Sequence, residues 1–358
     1  MYRRITLKVG SNVLTSPNGT PSTAHIEQLV DQIAALRAAG IEVLFVSSGA
    51  VASGRTVVSH PRHDDPVSCR QLWASIGQVK LIQLYSELFS RRGIVCSQVL
   101  ATKEDFRDRR HFLNMRNCLE TLLENGIVPI INENDVVSIT ELMFTDNDEL
   151  SGMIADMMNA DALFILSNVQ GIYNGPPDDG RSSVIRTVEP GSTSASKYIS
   201  ASKSGFGRGG MVTKFSIARK AARNGIPVHM ACGTTPGILT DIIAGKEVVH
   251  TYFVPGKRKT PIKRWLAHAD DEAKGTLRIS RQAAATLQAG TASSLLPVGV
   301  TAVEGCFKKG DVVRITSEDG QFIGLGKTEC DDATAARLMG AHHAKPVVHY
   351  DYLYLCSD

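Results

Sequence analysis

Ile5-Thr6-Leu7-Lys8-Val9-Gly10-Ser11-Asn12 alternates apolar and polar side chains and then breaks at a glycine, the pattern of a strand ending in a turn. Beyond it, Ile26, Leu29, Val30, Ile33 and Leu36 recur three and four residues apart, behind a Ser22 or Thr23 cap and ahead of Gly40. That is one face of an amphipathic helix with its start and stop signals. Val43-Leu44-Phe45-Val46 then forms an apolar run that ends in Ser47-Ser48-Gly49-Ala50. Strand, helix and strand in that order describe a parallel pairing with a crossover helix, and such a sheet is covered on both faces.

The same alternation continues outward through roughly the first 250 residues. Helical periods recur near Gln71 to Phe89 and Phe112 to Glu124, with strands at Ile94 to Leu100, Ile127 to Ile131, Leu163 to Leu166 and Val228 to Ala231. Gly171 to Gly210 is too long for an ordinary connection and reads as a functional excursion or a small hairpin, closed by a helix from Met211 to Arg223. After Gly245 the character changes. Residues 253–273 hold the proline-bounded basic segment Lys257 to Arg264, read as a linker and boundary. Residues 274–358 carry short apolar runs at Gly275 to Ile279, Ser294 to Val303, Asp311 to Ile315, Gln321 to Gly326 and Val347 to Leu355, which predict a small β-rich barrel.

The 358 residues are 43% hydrophobic and 21% charged, as in a soluble globular protein, and the length favours two domains. Lys and Arg number 39 against 36 Asp and Glu, so net charge makes no general case for a nucleic-acid or membrane partner. Seven cysteines, none in a C-x-x-C pair, argue against a disulfide framework and for a reducing cytosol. With no signal-like or membrane-length apolar run, the expected location is cytoplasmic.

Ligands of open parallel sheets bind at the carboxyl ends of the strands. Here those ends read Lys8-Val9-Gly10-Ser11, Ser47-Ser48-Gly49-Ala50 and Asn132-Glu133-Asn134-Asp135. Gly207-Arg208-Gly209-Gly210-Met211-Val212-Thr213-Lys214 is a glycine-rich turn running into a helix, a phosphate-holding pattern in which amide N–H groups and a lysine converge. It is not a P-loop, because Met211 stands where that motif needs lysine. No G-x-G-x-x-G follows a strand, so a dinucleotide fold is excluded as well. A lone strand lysine is ordinarily an edge charge, but Lys8 and Lys214 together suit the bracketing of a transferring phosphoryl group. Thr145-Asp146-Asn147-Asp148-Glu149 carries more acids and amides than one helix cap needs, so some of them should face a cation. Ser48 lacks a nucleophile elbow and reads as a hydrogen-bonding group. The pair His342-His343 lacks a third ligand nearby, and no metal site is assigned.

In this order, Lys8-Val9-Gly10-Ser11, Val46-Ser47-Ser48-Gly49-Ala50, Val128 through Asp135, Asp146-Asn147-Asp148 and Gly209 through Lys214 closely resemble the glutamate 5-kinases of the amino acid kinase family. The tail from about Lys274, with Ser293 through Val300 and Gly310-Asp311-Val312-Val313, is similar to the PUA domain appended to many of them. The resemblance implies an α/β fold, a three-layer α/β/α sandwich with a mainly parallel sheet over residues 1–252, followed by a PUA barrel. It implies ATP- and Mg²⁺-dependent phosphorylation of the side-chain carboxylate of L-glutamate, the first step of proline synthesis. A carboxylate, with a reference pKa of about 4.3, is already ionised at neutral pH, so no general base is needed.

By the family pattern Lys8 and Lys214 stabilise the phosphoryl group and Asp148 orients them, with help from the N–H groups of Gly10 and Gly49. Ser48, Asp135 and Asn147 match glutamate-binding positions, with Asp146 and Asn132 in the same pocket. Ser167-Asn168 and Arg208 through Lys214 fall where relatives hold ATP. Relatives usually carry Thr-Asp in place of Ser167-Asn168 and Thr-Ala-Asp-Pro near Asn174 to Asp178, and a small residue or threonine in place of Arg208, which leaves nucleotide preference open. The resemblance also implies feedback inhibition by proline, a homo-oligomer (dimer or tetramer), and a glutamyl phosphate reductase acting downstream. Two other readings stay open: another amino acid kinase, acting on acetylglutamate or aspartate, and an RNA-binding protein acting through the PUA domain.

Overall fold

The computed structural model describes residues 2–356 except 17–18, 63–64, 138–145, 177–179, 191, 193–209, 259, 267–268, 271–272, 290–292 and 343. It divides into two units, one of Met1–Asp105 and Leu113–Arg258, the other of Phe106–Phe112 and Lys259–Asp358. The chain runs β1 (Arg4–Val9), α1 (Ser11–Leu14), α2 (Thr23–Ala38), β2 (Glu42–Val46), α3 (Ala50–Arg55), α4 (Pro66–Ser90) and β3 (Cys96–Ala101). It continues through α5 (Glu104–Arg107), α6 (Arg109–Glu124), β4 (Val128–Glu133), α7 (Asn147–Met157), β5 (Ala162–Ser167), β6 (Thr187–Val188) and α8 (Met211–Arg223). The first unit ends with β7 (Val228–Cys232), α9 (Ile238–Ile243) and β8 (Thr251–Phe253).

These strands form one eight-stranded sheet in the order β3-β4-β2-β1-β5-β7-β8-β6. Every neighbouring pair is parallel except β7 and β8. Alternation sorts the side chains onto two faces. Ile5, Leu7, Val9, Phe45 and Phe164 pack with Ile26, Leu29, Ile33, Leu81 and Tyr85 of α2 and α4. Leu163, Ile165, Val228 and Met230 pack with Ala155 of α7 and with Phe215, Ala218, Ala221 and Ala222 of α8. The sheet therefore lies between two helical layers, as expected. Since Leu7 and Val9 point into the first core, Lys8 between them is turned to the opposite face, the side of α7.

Ile131, Val46, Lys8, Ile165 and Met230 lie in register across five strands. The residues that follow this row open at one edge of the sheet, and the strand order reverses between β1 and β5, which is where ligands bind in open α/β sheets. Helix α4 starts at Pro66, five residues before the apolar period becomes legible. Asp65 caps it by accepting from Ser68 N at 2.8 Å, and proline fits its first turn. Strand β4 continues through Asn132 and Glu133, carrying them into the sheet. The long excursion contains a small hairpin, with Asn174 N donating to Ser183 O at 3.0 Å and Ile185 N to Ile172 O at 2.7 Å.

In the second unit α10 (Pro261–Leu266) is followed by β9 (Gly275–Ile279), α11 (Arg281–Gln288), β10 (Val300–Gly305), β11 (Val312–Ser317), β12 (Phe322–Thr328), α12 (Asp332–Leu338) and β13 (Val348–Leu355). The sheet order is β10-β9-β11-β12-β13, parallel only between β9 and β11. The run expected as one strand over Ser294 to Val303 is broken by a 3₁₀ turn at Pro297–Gly299, because Pro297 has no N–H for a ladder. An isolated bridge from Leu295 to Val348 ties the segment ahead of β10 back to β13. The basic segment is not wholly an exposed linker, since Arg264, Trp265 and Leu266 within α10 are buried. Among the described residues no helix is long and apolar enough to cross a membrane.

Candidate active site

One carboxylate organises the sheet edge. Asp148 is fully buried, and its Oδ1 lies 2.5 Å from Lys8 Nζ while its Oδ2 lies 2.9 Å from Lys214 Nζ. The two lysines, 206 positions apart in sequence by their numbers (8 and 214), thus share one acid. Three elements meet to make this bridge: Lys8 from the central strand β1, Asp148 from the first turn of α7, and Lys214 from the first turn of α8. Helices α7 and α8 approach closely at Gly152, where an added Cβ would lie 2.9 Å from Ile217 Cγ2.

The acidic cluster at the start of α7 resolves into separate tasks. Asp146 is the N-cap, its Oδ1 accepting from Asp148 N at 2.9 Å and Glu149 N at 3.2 Å. Glu149 pairs with Lys103 at 3.3 Å. Asn147 turns to the strand ends, its Nδ2 lying 2.8 Å from Ser47 O, 3.0 Å from Ser48 Oγ and 2.9 Å from Asn132 Oδ1. Two N–H bonds shared among three acceptors hold β2, β4 and α7 in one arrangement. Thr145 and the rest of the preceding loop lie outside the described residues.

Helix α4 supplies groups that the sequence reading did not single out. Gln78 Oε1 accepts from Asn132 Nδ2 at 3.0 Å, and Arg70, two turns earlier on the same face, reaches Asp135. Arg70 Nε and Nη2 stand 2.9 and 2.5 Å from Asp135 Oδ1, and Nη2 stands 3.6 Å from Glu133 Oε2. Gln71 Nε2 donates to Val136 O at 2.7 Å, pinning the turn after β4. The only sequence signal for these contacts was the eight-residue spacing of Arg70 and Gln78 on one helical face.

At the glycine turn, Gly210 caps α8 in an extended conformation without a side-chain bond, and Met211, Val212, Thr213 and Lys214 form the first turn. Their amide N–H groups are those a helix leaves for an anion. Arg208 and Gly209 lie outside the described residues. Ser167 ends β5 and Asn168 beside it is exposed. One expectation needs correction: the Gly10 N–H donates to Leu166 O at 3.0 Å, continuing the parallel ladder, and is therefore spent within the sheet rather than open to phosphate. Gly49 has φ +102°, a left-handed conformation that favours glycine, and caps α3.

The electrostatics separate the two neighbouring acids. Burial would raise Asp148, but the charges of Lys8 and Lys214 overcome it and hold this carboxyl well below the usual range. Asp146 is raised to about 7, first by burial and then by the charge of Asp148. One acid is thus kept ionised between two ammonium groups while the next is poised near neutrality.

Comparison with known proteins identifies the family. Residues 3–232 match the model of the amino acid kinase family and residues 275–350 that of the PUA domain. The chain is 51% identical over 356 residues to a glutamate 5-kinase of Bacteroides thetaiotaomicron, covering 99% of both chains. It is 51% identical over 356 residues to a glutamate 5-kinase of Chlorobaculum tepidum, covering 99% of this chain and 98% of that one. Among solved structures, carbamate kinase from Giardia lamblia bound to AMP-PNP is similar in fold, with a TM-score of 0.50, 16% identity, and coverage of 71% of this chain and 99% of that one. The chain belongs to the amino acid kinase family and carries a PUA domain behind its kinase fold.

Proposed function

We propose that this amino acid kinase transfers the γ-phosphoryl group of ATP to the side-chain carboxylate of L-glutamate, giving γ-glutamyl phosphate for proline synthesis. The observation that carries the reading is the Lys8–Asp148–Lys214 bridge set beside the Asn147, Ser48 and Asn132 cluster. The full-length likeness to glutamate 5-kinases supports the choice of substrate.

In this scheme a carboxylate oxygen of glutamate attacks the γ-phosphorus while the bond to the β–γ bridging oxygen breaks and ADP leaves. No proton moves, so the protein supplies alignment and charge. Lys8 and Lys214 neutralise the oxygens of the transferring group, and Asp148 keeps the two ammonium groups apart and aimed. Ser48, Asn132, Asp135, Asp146 and Asn147 hold the amino acid, whose α-ammonium needs carboxylate and amide oxygens. Met211 through Lys214, Ser167 and Asn168 hold ATP, together with Arg208 and Gly209. The donor set suits Mg²⁺ as a passenger of ATP: the wholly buried acid, Asp148, is already shared by two lysines, so phosphate oxygens would hold most of the ion's coordination, and the ion supplies further neutralisation of phosphate charge. We also assign residues 1–252 to the kinase domain and 274–358 to the PUA domain, place the protein in the cytoplasm as a homo-oligomer, and expect proline to inhibit it through the glutamate pocket.

The test is ATP turnover with L-glutamate, N-acetylglutamate and aspartate in parallel, trapping acyl phosphate with hydroxylamine. Hydroxamate formed with glutamate alone is expected. Hydroxamate with another acceptor would reassign the substrate, and none with any acceptor would sink the kinase reading.

A further inference from the structure

We propose that Arg70 receives the α-carboxylate of the amino-acid substrate while Asp135 beside it receives the α-ammonium, so that this ion pair is a mould for a zwitterionic head group. The inference rests on the glutamate reading above. It begins with the shape of the pair. An arginine and a carboxylate meeting fork to fork would place one N–H on each oxygen. Here Nε and Nη2 both converge on Asp135 Oδ1, at 2.9 and 2.5 Å. Asp135 Oδ2 and Arg70 Nη1 are left without a partner among the described residues, an open acceptor on the acid and an open donor on the far edge of the guanidinium, a separation that a head group with both charges can span.

The surroundings suit a ligand rather than a surface ion pair. The Asp135 side chain is 8% exposed and that of Arg70 27%, so the carboxylate is enclosed while the guanidinium is partly exposed. The pair is anchored from both sides, by Gln71 on Val136 O and by Gln78 on Asn132. Asn132 in turn bonds Asn147, so the pair and the amide cluster share one frame. A zwitterionic head group is neutral overall, so its entry exchanges ionic contacts with Arg70 and Asp135 without adding net charge beside the buried Glu133. Because Asp135 alone would select only for an ammonium, the arginine adds discrimination in favour of an α-amino acid over a simple amine.

Three ligands separate this role from a merely supporting one. L-Glutamate carries both head groups, 4-aminobutanoate lacks the α-carboxylate, and glutarate lacks the α-ammonium. Their binding to the full-length protein, measured by calorimetry, is compared in wild type, Arg70→Gln and Arg70→Lys. Arg70→Gln is expected to weaken glutamate and glutarate by about tenfold to a hundredfold, the range of a charged hydrogen bond, while leaving 4-aminobutanoate within about twofold. Arg70→Lys, which keeps the charge without the fork and guards against loss of folding, should fall between. If Arg70 only positions Asp135, 4-aminobutanoate is the ligand that weakens and glutarate does not, and the proposal is overturned. Equal binding in all three proteins, or no binding of any ligand by wild type, overturns it too. Failure of the glutamate reading is seen separately, as absence of glutamyl hydroxamate from the wild-type protein.

Discussion

Asp148 separates two ammonium groups that would otherwise repel across a few ångströms, and this fixes what removal of either lysine should do. In the proposed reaction the charges act on phosphoryl oxygens as these gain negative charge in transfer, so their loss would fall on the transition state more than on bound substrate. Lys8→Ala and Lys214→Ala are each expected to lower kcat by about 10²- to 10³-fold with the glutamate KM changed by less than about threefold. A variant with normal kcat and a raised KM would show that the lysine binds substrate instead. The neighbouring Asp146 makes a prediction about pH. Its carboxyl is raised to about 7, first by burial and then by Asp148. Between the unfolded value, about 3.9, and the folded one, the native state holds a proton that the unfolded chain has released. Stability is therefore lost as pH rises through this window. Asp146→Asn keeps an oxygen for capping Asp148 N and Glu149 N but removes the titration. Its melting temperature should match wild type near pH 4 and exceed it by a few degrees at pH 8; a constant difference across that range would refute the shift.

At the scale of elements, the spacing of Lys214 and Asp148 depends on how closely α7 and α8 lie. Gly152 has no room for a methyl group without moving Ile217, whose β-branched side chain is stiff. Gly152→Val should push α8 outward, lengthen the Lys214–Asp148 contact of 2.9 Å and lower kcat by tenfold or more, about 1.4 kcal/mol of barrier. The double variant Gly152→Val/Ile217→Ala should recover most of that loss, and failure to recover would place the defect elsewhere. The same elements explain what the sequence made legible. The sandwich could be read because β1, β2, β4, β5 and β7 are apolar runs, α2 has a clear period with start and stop signals, and a glycine turn leads into α8. Lys8 could be read because a charge in such a strand is rare, and Lys214 because a glycine turn announces it. Arg70 and Gln78 could not be read. Their partners lie 65 and 54 residues away, and a polar residue on a helix looks the same whether it meets water or a strand end. Gly10 misled for a related reason: its N–H is claimed by Leu166 on β5, a pairing set by strand order, which a local motif does not contain. The short strands β6 and β8 were missed because two or three residues show no period.

For the whole molecule, the chain order does not follow the division into units. Phe106–Phe112 interrupts the first unit in sequence yet belongs with Lys259–Asp358. Within that unit Phe106 and Phe112 are 1% and 7% exposed, and the Arg109 guanidinium lies 5.2 Å from the Phe112 ring and 5.0 Å from the Trp265 ring. A chain ending at Arg258 would keep the α/β sheet and the lysine bridge but lose what packs with this segment. Burying a phenylalanine contributes about 1.5–3 kcal/mol, so two stranded rings cost about 3–6 kcal/mol. That is a large share of an ordinary folding stability of about 5–15 kcal/mol. The shortened chain should therefore melt well below the full one and bind a hydrophobic dye, and Trp265→Ala in the full chain should show a smaller drop of the same kind. A shortened chain with the full melting temperature and no dye binding would mean that residues 106–112 find their cover within the kinase fold, and the C-terminal unit would then be dispensable for its stability.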